Sequence, residues 1–244
     1  MNRRSQLLAA ILVNAVYEMQ NYPIVLLNIV ISPLSFLLLI VFVSRGTLIG
    51  VGIMGGFIMT MFSAGMSLQT DLSHLKNDFK LQDMIVSSPT SQSIYMFGMA
   101  FAEIIYSLPA LLTLSVLSFF FVKMTLLAAL GFVSILILMF LMSVFLGFLF
   151  STLSSDIVQS FAFSRMLSTL FTTIPPIYYP ITYIPLPIRY IAYLSPTTYA
   201  AQLAQNLGGY MQLPITIILL SWMVLIGLTI LLFLLSAKRS KWRE

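Results

Sequence analysis

The chain has 244 residues, of which 59% are hydrophobic and only 8% charged, and its mean hydropathy is +1.01. A water-soluble domain carries about a quarter charged residues, so a soluble fold is excluded and the chain reads as an integral all-α membrane protein with one domain, 1–244. The net charge of +5 comes from basic residues at span ends and in the C-terminal run Lys238, Arg239, Lys241 and Arg243, which marks orientation rather than nucleic-acid binding, and the absence of cysteine removes disulfides, thiolate metal sites and cysteine nucleophiles.

In chain order, Arg3 to Tyr22 predicts an apolar helix with a narrow polar stripe at Arg3, Asn14, Glu18 and Asn21. Such a helix (1–22) lies in the membrane interface. A signal peptide is the competing reading, since Arg3-Arg4 and Leu7 to Val13 imitate its charged and apolar regions. Its cleavage site is poor, however, and the next apolar run follows too soon. Apolar runs at 23–43, 47–68, 92–121, 125–151, 157–179 and 213–236 are each long enough to cross the bilayer. The expectation is therefore six spans. Tight connections fall at Ser44-Arg45-Gly46 and Val122-Lys123-Met124.

The second run carries Gly46, Gly50, Gly52, Gly55 and Gly56 but no lysine, so it is not a nucleotide-binding loop. Glycines four residues apart let helix backbones approach. Packing within one subunit is the plainer use of them, and a dimer seam the alternative. The following segment, 70–91, is polar. Leu72, Leu75 and Phe79 share a helical face there, with charges of both signs elsewhere. An amphipathic helix so close to the membrane must set its apolar face on lipid or in a partner groove. His74, alone in the chain, reads as a solvated loop residue rather than a metal ligand.

Glu103 lies well inside the third run, shortly before Pro109. A carboxylate at membrane depth is a functional candidate facing the bundle interior or water. Two uses stay open for it: a structural or interfacial group, and the proton site of an ATP-independent carrier. A non-transporting scaffold is a third reading of the chain. No nucleophile triad or acid pair can be assembled at a common depth, so enzymatic chemistry lacks a basis.

Between Pro175 and Pro214 fall seven of the 11 prolines, and from Tyr178 to Tyr210 seven of the 11 tyrosines. No continuous spanning helix survives that many breaks. Broken backbone is tolerated at membrane depth only when buried in protein or lining a cavity, and tyrosines favour the interface. The segment 175–210 thus predicts a re-entrant or interfacial hairpin before the last span. It should hold two short helices, about Pro187 to Leu194 and Pro196 to Leu207. Ser195 can cap the second, and Gly208-Gly209 can end it. With Pro196, Ala200, Leu203 and Leu207 on one face and Thr198, Gln202, Gln205 and Asn206 largely off it, this helix is expected to lie at the surface.

The run Leu186-Pro187-Ile188-Arg189, followed by Leu194-Ser195-Pro196-Thr197-Thr198-Tyr199, resembles the type-2 permeases of ATP-binding-cassette exporters. So do Ser154-Ser155-Asp156, the interfacial helix and the amphipathic segment after the second span. The segment Lys76 to Asp83 departs from the Glu-rich, Gly-Thr-containing run usual in that family, while Leu81 to Pro89 keeps its shape. The resemblance implies a half-transporter in the cell membrane, and the absence of tryptophan from Asn21 to Val43 is similar to the drug and lipid-like branch. A second permease half, identical or related, completes the path. A separate cytoplasmic ATPase subunit binds ATP and Mg, so no cofactor is expected in this chain. The ATPase would dock on 70–91 through Leu75, Phe79, Met84 and Ile85. Glu103, Tyr179, Tyr183, Arg189 and Tyr199 would line or gate the path. With both termini in the cytoplasm, nine basic residues (Arg3, Arg4, Lys76, Lys80, Arg165 and the C-terminal four) stay inside, against Arg45, Lys123 and Arg189 outside, as the positive-inside rule requires.

Overall fold

A computed structural model describes residues 11–21, 23–77, 92–154 and 156–239, and among these every regular element is helical. A π-helical turn, Leu12–Val16, leads into α1 (Tyr17–Asn21), α2 (Pro23–Val43), α3 (Ile49–Asn77), α4 (Gln92–Phe121), α5 (Leu126–Leu153) and α6 (Ile157–Thr172). A 3-10 turn, Ile181–Tyr183, precedes α7 (Leu186–Ala192), α8 (Pro196–Leu207) and α9 (Ile215–Arg239). Among the described residues five helices are long and apolar enough to cross a membrane, over Leu26–Val43, Ile49–Ser73, Gly98–Phe121, Leu126–Leu153 and Ile215–Lys238.

The helix ends follow local chemistry. Thr125 starts α5 by accepting a hydrogen bond from the Ala128 amide at 3.3 Å, and Asp156 starts α6 by accepting from the Gln159 amide at 2.7 Å. Both satisfy an amide that the first helical turn leaves unpaired. The α2–α3 connection turns at Arg45 and Gly46, whose φ values of 52° and 84° are left-handed. Glycine takes that conformation at no steric cost, as the tight link expected there demands.

Helix α3 is the axis of the bundle. In its spanning window 89% of residues are buried, against 11% for α2 and 17% each for α4 and α9, so the latter three are the faces left for lipid or a partner. Small residues explain how one helix meets so many neighbours. A Cβ on Gly52 would lie 2.7 Å from Leu37 Cδ1 of α2, and one on Gly56 would lie 3.1 Å from Leu114 Cδ2 of α4. One on Gly65 would press on Ser143 Oγ and approach the Val144 nitrogen of α5 to 2.7 Å. The glycines therefore serve packing within this chain, the first of the two uses open to them. Against α6 hydrogen bonds join the apolar contact of Phe62 with Phe171: the Gln69 side chain donates to the Ser160 carbonyl at 3.1 Å, Ser160 Oγ donates back to the Gln69 carbonyl at 3.2 Å, and Ser164 Oγ donates to the Met66 carbonyl at 3.2 Å.

Several expectations change. The helix of the second run does not end at residue 68: α3 runs unbroken to Asn77, past the end of its apolar window at Ser73, so 70–77 continues that helix rather than opening a separate one. No proline or glycine interrupts Met66 to Asn77, which leaves nothing to stop the helix there. Residues 1–10 of the interfacial helix lie outside the described residues, as do Phe79, Met84 and Ile85; Leu75 falls on the last turns of α3. The run 157–179 is helical only to Thr172. Its 16 residues rise about 24 Å, short of a hydrocarbon core of about 30 Å, because Pro175-Pro176 cannot continue a helix.

The helix expected at the surface is buried instead. Helix α8 has its predicted bounds, Pro196–Leu207, but Thr198, Gln202 and Gln205 are buried along with Ala200, Leu203 and Ala204. Alanines at 200, 201 and 204 let α8 sink among α3, α5 and α9, and its amides find partners inside. The side chain of Ser195 does not cap α8; its hydroxyl pairs with Thr197 Oγ1 at 2.7 Å.

A methyl group at Gly65 should destabilise the fold by about 1–3 kcal/mol, the usual cost of overpacking, because the atoms in its way include α5 backbone. Gly65→Ala is expected to lower the thermal midpoint of the purified protein, whereas Gly227→Ala, where a Cβ meets nothing within 4 Å, should match the parent. Equal midpoints for the two variants would contradict the α3–α5 packing.

Candidate functional site

Two features stand out, joined by a single side chain. The first is the Pro–Tyr segment. After Thr172 the backbone leaves the helix, and Pro175, Pro176, Ile177 and Tyr178 are buried against α3. Gly55 makes room for it, since a Cβ there would strike the Ile177 carbonyl. Tyr178 stacks on Phe36 of α2 with ring centroids 5.5 Å apart, and its hydroxyl lies 2.7 Å from Met59 Sδ of α3. Non-helical backbone is thereby enclosed in protein, the condition for keeping it at membrane depth.

The rest of the segment is tied together by side chains. The Arg189 guanidinium donates to the Thr182 carbonyl at 3.1 Å and to the Ile184 carbonyl at 3.0 Å, which locks the 3-10 turn onto α7. The planar fork of arginine suits two such acceptors better than a lysine ammonium would. Gln205 donates to the Tyr179 carbonyl at 3.3 Å, Gln202 to the Tyr193 hydroxyl at 3.3 Å, and the rings of Tyr193 and Tyr199 lie 5.9 Å apart. Burial, and secondarily the neighbouring Tyr193, raises the pKa of the Tyr199 phenol above its ordinary value. The side-chain oxygens of Gln202 and Gln205 are buried without an acceptor role among the described residues. Tyr183 is exposed.

The second feature is a cleft of about 210 Å³ between α2, α3 and α4. Asn28 and Ser32 line it from α2, Thr60, Ser63 and Ser67 from α3, and Glu103, Tyr106 and Ser107 from α4. Each set has the spacing of three, four or seven residues that places side chains on one helical face. Glu103 is 7% exposed, and the Ser67 hydroxyl donates to its Oε2. In a bilayer this is a carboxylate in a small polar recess with apolar walls at Ile29 and Met59.

The structure does not bring the five expected path residues together. Glu103 belongs to the cleft; Tyr179, Arg189 and Tyr199 hold the Pro–Tyr segment in shape; Tyr183 faces outward. The link is Met59, which lines the cleft and also receives the Tyr178 hydroxyl. Sequence reasoning passed over Asn28, Ser32, Ser63, Ser67 and Tyr106. Their only sequence signal is polar residues at helical spacing inside apolar runs, which hydropathy averages away.

The model of the ABC-2 type transporter family matches residues 6–207, and the chain belongs to that family. It is thus a membrane component of a transporter, and a multi-pass membrane protein. Among curated proteins, no match was found.

Cysteines placed in this cysteine-free chain test the segment directly. Thr182 is exposed and Gln205 buried, so Thr182→Cys should react with a water-soluble thiol reagent in the folded protein, and Gln205→Cys only after denaturation. Rapid labelling of both would place α8 at the surface after all.

Proposed function

We propose that the chain is the membrane-spanning half of an ATP-driven exporter that moves an amphipathic or hydrophobic substrate outward. The observation that carries this reading is the match to the ABC-2 family over residues 6–207, which takes in every described element from the π-turn to α8. In this reading the chain crosses the membrane six times, with α6 and the buried Pro175–Tyr178 stretch together making the fifth crossing. The rest of 175–210 forms the external cap before α9, and both termini are cytoplasmic. Drug-like or lipid-like cargo suits lipid-facing helices as apolar as α2 and α9, where Phe42 and Val43 are each 77% exposed and Met223 64%.

Two copies, or one copy and a related subunit, enclose the path. A cytoplasmic ATPase supplies the power, binding ATP and Mg in its own domains and docking at 70–91. Because α3 extends to Asn77, force applied beyond that point is delivered to the one helix that touches α2, α4, α5 and α6. Family membership adds nothing to the ATP-independent carrier, and the proton-relay use of Glu103 is not needed where ATP drives the cycle.

Co-purification with an ATPase subunit, with ATP hydrolysis stimulated by cargo, tests the assignment. Phe79→Asp should weaken docking by about 2 kcal/mol or more, the range of interface anchors, while the membrane domain stays folded. A variant that still captures a stoichiometric ATPase and transports normally would refute docking at 70–91.

A further inference from the structure

Resting on the exporter reading, we propose that the exposed face of α6 borders the transport path and holds the anionic head group of an amphiphilic cargo at Arg165 and Thr169. Ser164 bonds to the Met66 carbonyl of α3, and Met66 stands seven residues inside the end of the α3 apolar window at Ser73, roughly 10 Å along the helix. Arg165 is next in sequence to Ser164, is exposed, and makes no hydrogen bond or ion pair among the described residues. The other exposed charges among them, Arg45, Lys123, Asp156 and Lys238, sit in connections or at helix ends. A charge in the body of a helix at this depth belongs against a water-filled cavity or a counter-charge, not against hydrocarbon.

Arg165 shares its face with further polar groups. Ala162, Arg165, Thr169 and Thr173 follow at steps of three and four residues, which stacks them in one stripe along the helix, and all four are exposed. Other threonines of the apolar helices bond back to a carbonyl one turn earlier, as Thr60 does to Gly56, Thr113 to Pro109 and Thr229 to Leu225. The hydroxyls of Thr169 and Thr173 make no such bond among the described residues, so the stripe offers hydroxyl donors beside the guanidinium. Such a set of donors suits an oxyanion: phosphate, sulfate or carboxylate. Snorkelling toward the cytoplasmic interface would serve Arg165 alone; it does nothing for Thr169 and Thr173, which lie farther into the membrane.

The acids of the chain favour a ligand over a second copy as the counter-charge. Of its seven acids, Glu103 is the one at this depth, and it is 7% exposed and accepts from Ser67, the residue after Met66. The others lie before the first span, within 71–83, at the start of α6 and at the C-terminus. A second copy related by an axis across the membrane therefore brings no exposed acid level with Arg165. The surroundings of the stripe add the apolar half of the ligand. Phe161 flanks it on one side and Met166 and Leu170 on the other, all three exposed, so a tail leaving the head group lies along apolar side chains. The stripe stops at Thr173, two residues before the buried Pro175–Tyr178 stretch, which sets an occupied site beside the broken backbone.

The test is equilibrium binding of radiolabelled dodecyl phosphate to the full chain in nanodiscs of zwitterionic lipid, with empty discs subtracted. Saturable binding is expected, resistant to dodecanol and to inorganic phosphate at the same concentration. Arg165→Gln should weaken it about tenfold or more, as for loss of a charged hydrogen bond, and Thr169→Val, which removes only the hydroxyl, about threefold. Lys123→Gln deletes the same charge from the connection before α5 and should bind as the parent does, which separates a local site from general attraction to a basic protein. Both α6 variants should keep the parent's thermal midpoint, since neither side chain is bonded within the chain, and Thr169→Val decides the matter if Arg165→Gln does not fold. Binding that is absent in the parent, unchanged in the α6 variants, or lowered equally by Lys123→Gln would overturn the proposal. Equal displacement by dodecanol would also overturn it, and displacement by inorganic phosphate would replace the amphiphile with a free anion. These readouts need no ATP or ATPase, so the anion site and the exporter assignment can fail independently.

Discussion

The structure depends on how closely α3 can be approached. Side chains at 52, 56 and 65 would hold α2, α4 and α5 away from it, because their first carbon would already meet Leu37, Leu114 or the α5 backbone. In lipid there is no hydrophobic gain from bringing apolar helices together, so association rests on close packing and on hydrogen bonds between helices. Here α3 uses both. Its glycines serve three faces, and the paired bonds between Gln69 and Ser160 serve the face toward α6.

That arrangement also makes the Pro–Tyr segment possible. Broken backbone at depth must be covered, and the cover is α3 at Gly55, with Phe36 and Met59 receiving the ring and hydroxyl of Tyr178. A segment that composition alone would place at the interface is drawn into the bundle. Helix α8 follows the same logic, since its alanines bring the backbone close enough for Gln202 and Gln205 to reach Tyr193 and the Tyr179 carbonyl. Polar side chains in this region thus hold the shape of the segment, which separates them in role from Glu103, the one acid lining the cleft on the far side of Met59.

Much was legible beforehand where the physics is local. Helix existence followed from apolar runs, the α2–α3 turn from Gly46, and the bounds of α8 from Pro196 and Gly208, whereas the run 157–179 was expected to cross and its helix ends at Thr172. The errors share a cause. Polarity after residue 68 marks the edge of the hydrocarbon and not the end of α3, which continues to Asn77 because backbone hydrogen bonding does not stop at that edge. The burial of α8 was missed because an amphipathic pattern says which face is apolar, not whether the polar face meets water or other side chains. Gln202 and Gln205 meet side chains and backbone, and no periodicity distinguishes the two cases.

By itself, the sequence determined that this is a helical membrane protein, where its chain breaks, and the resemblance that its family membership bears out, because these follow from transfer energies and from what proline and glycine allow the backbone. Only the tertiary structure decided that α3 is the axis, that Arg189 and Tyr179 fasten the Pro–Tyr segment, and that Asn28, Ser32, Ser67 and Glu103 line or face one cleft. Those are relations between residues far apart in the chain. They arise when three helices approach within side-chain reach, and that distance is set by packing against α3, which no single segment encodes.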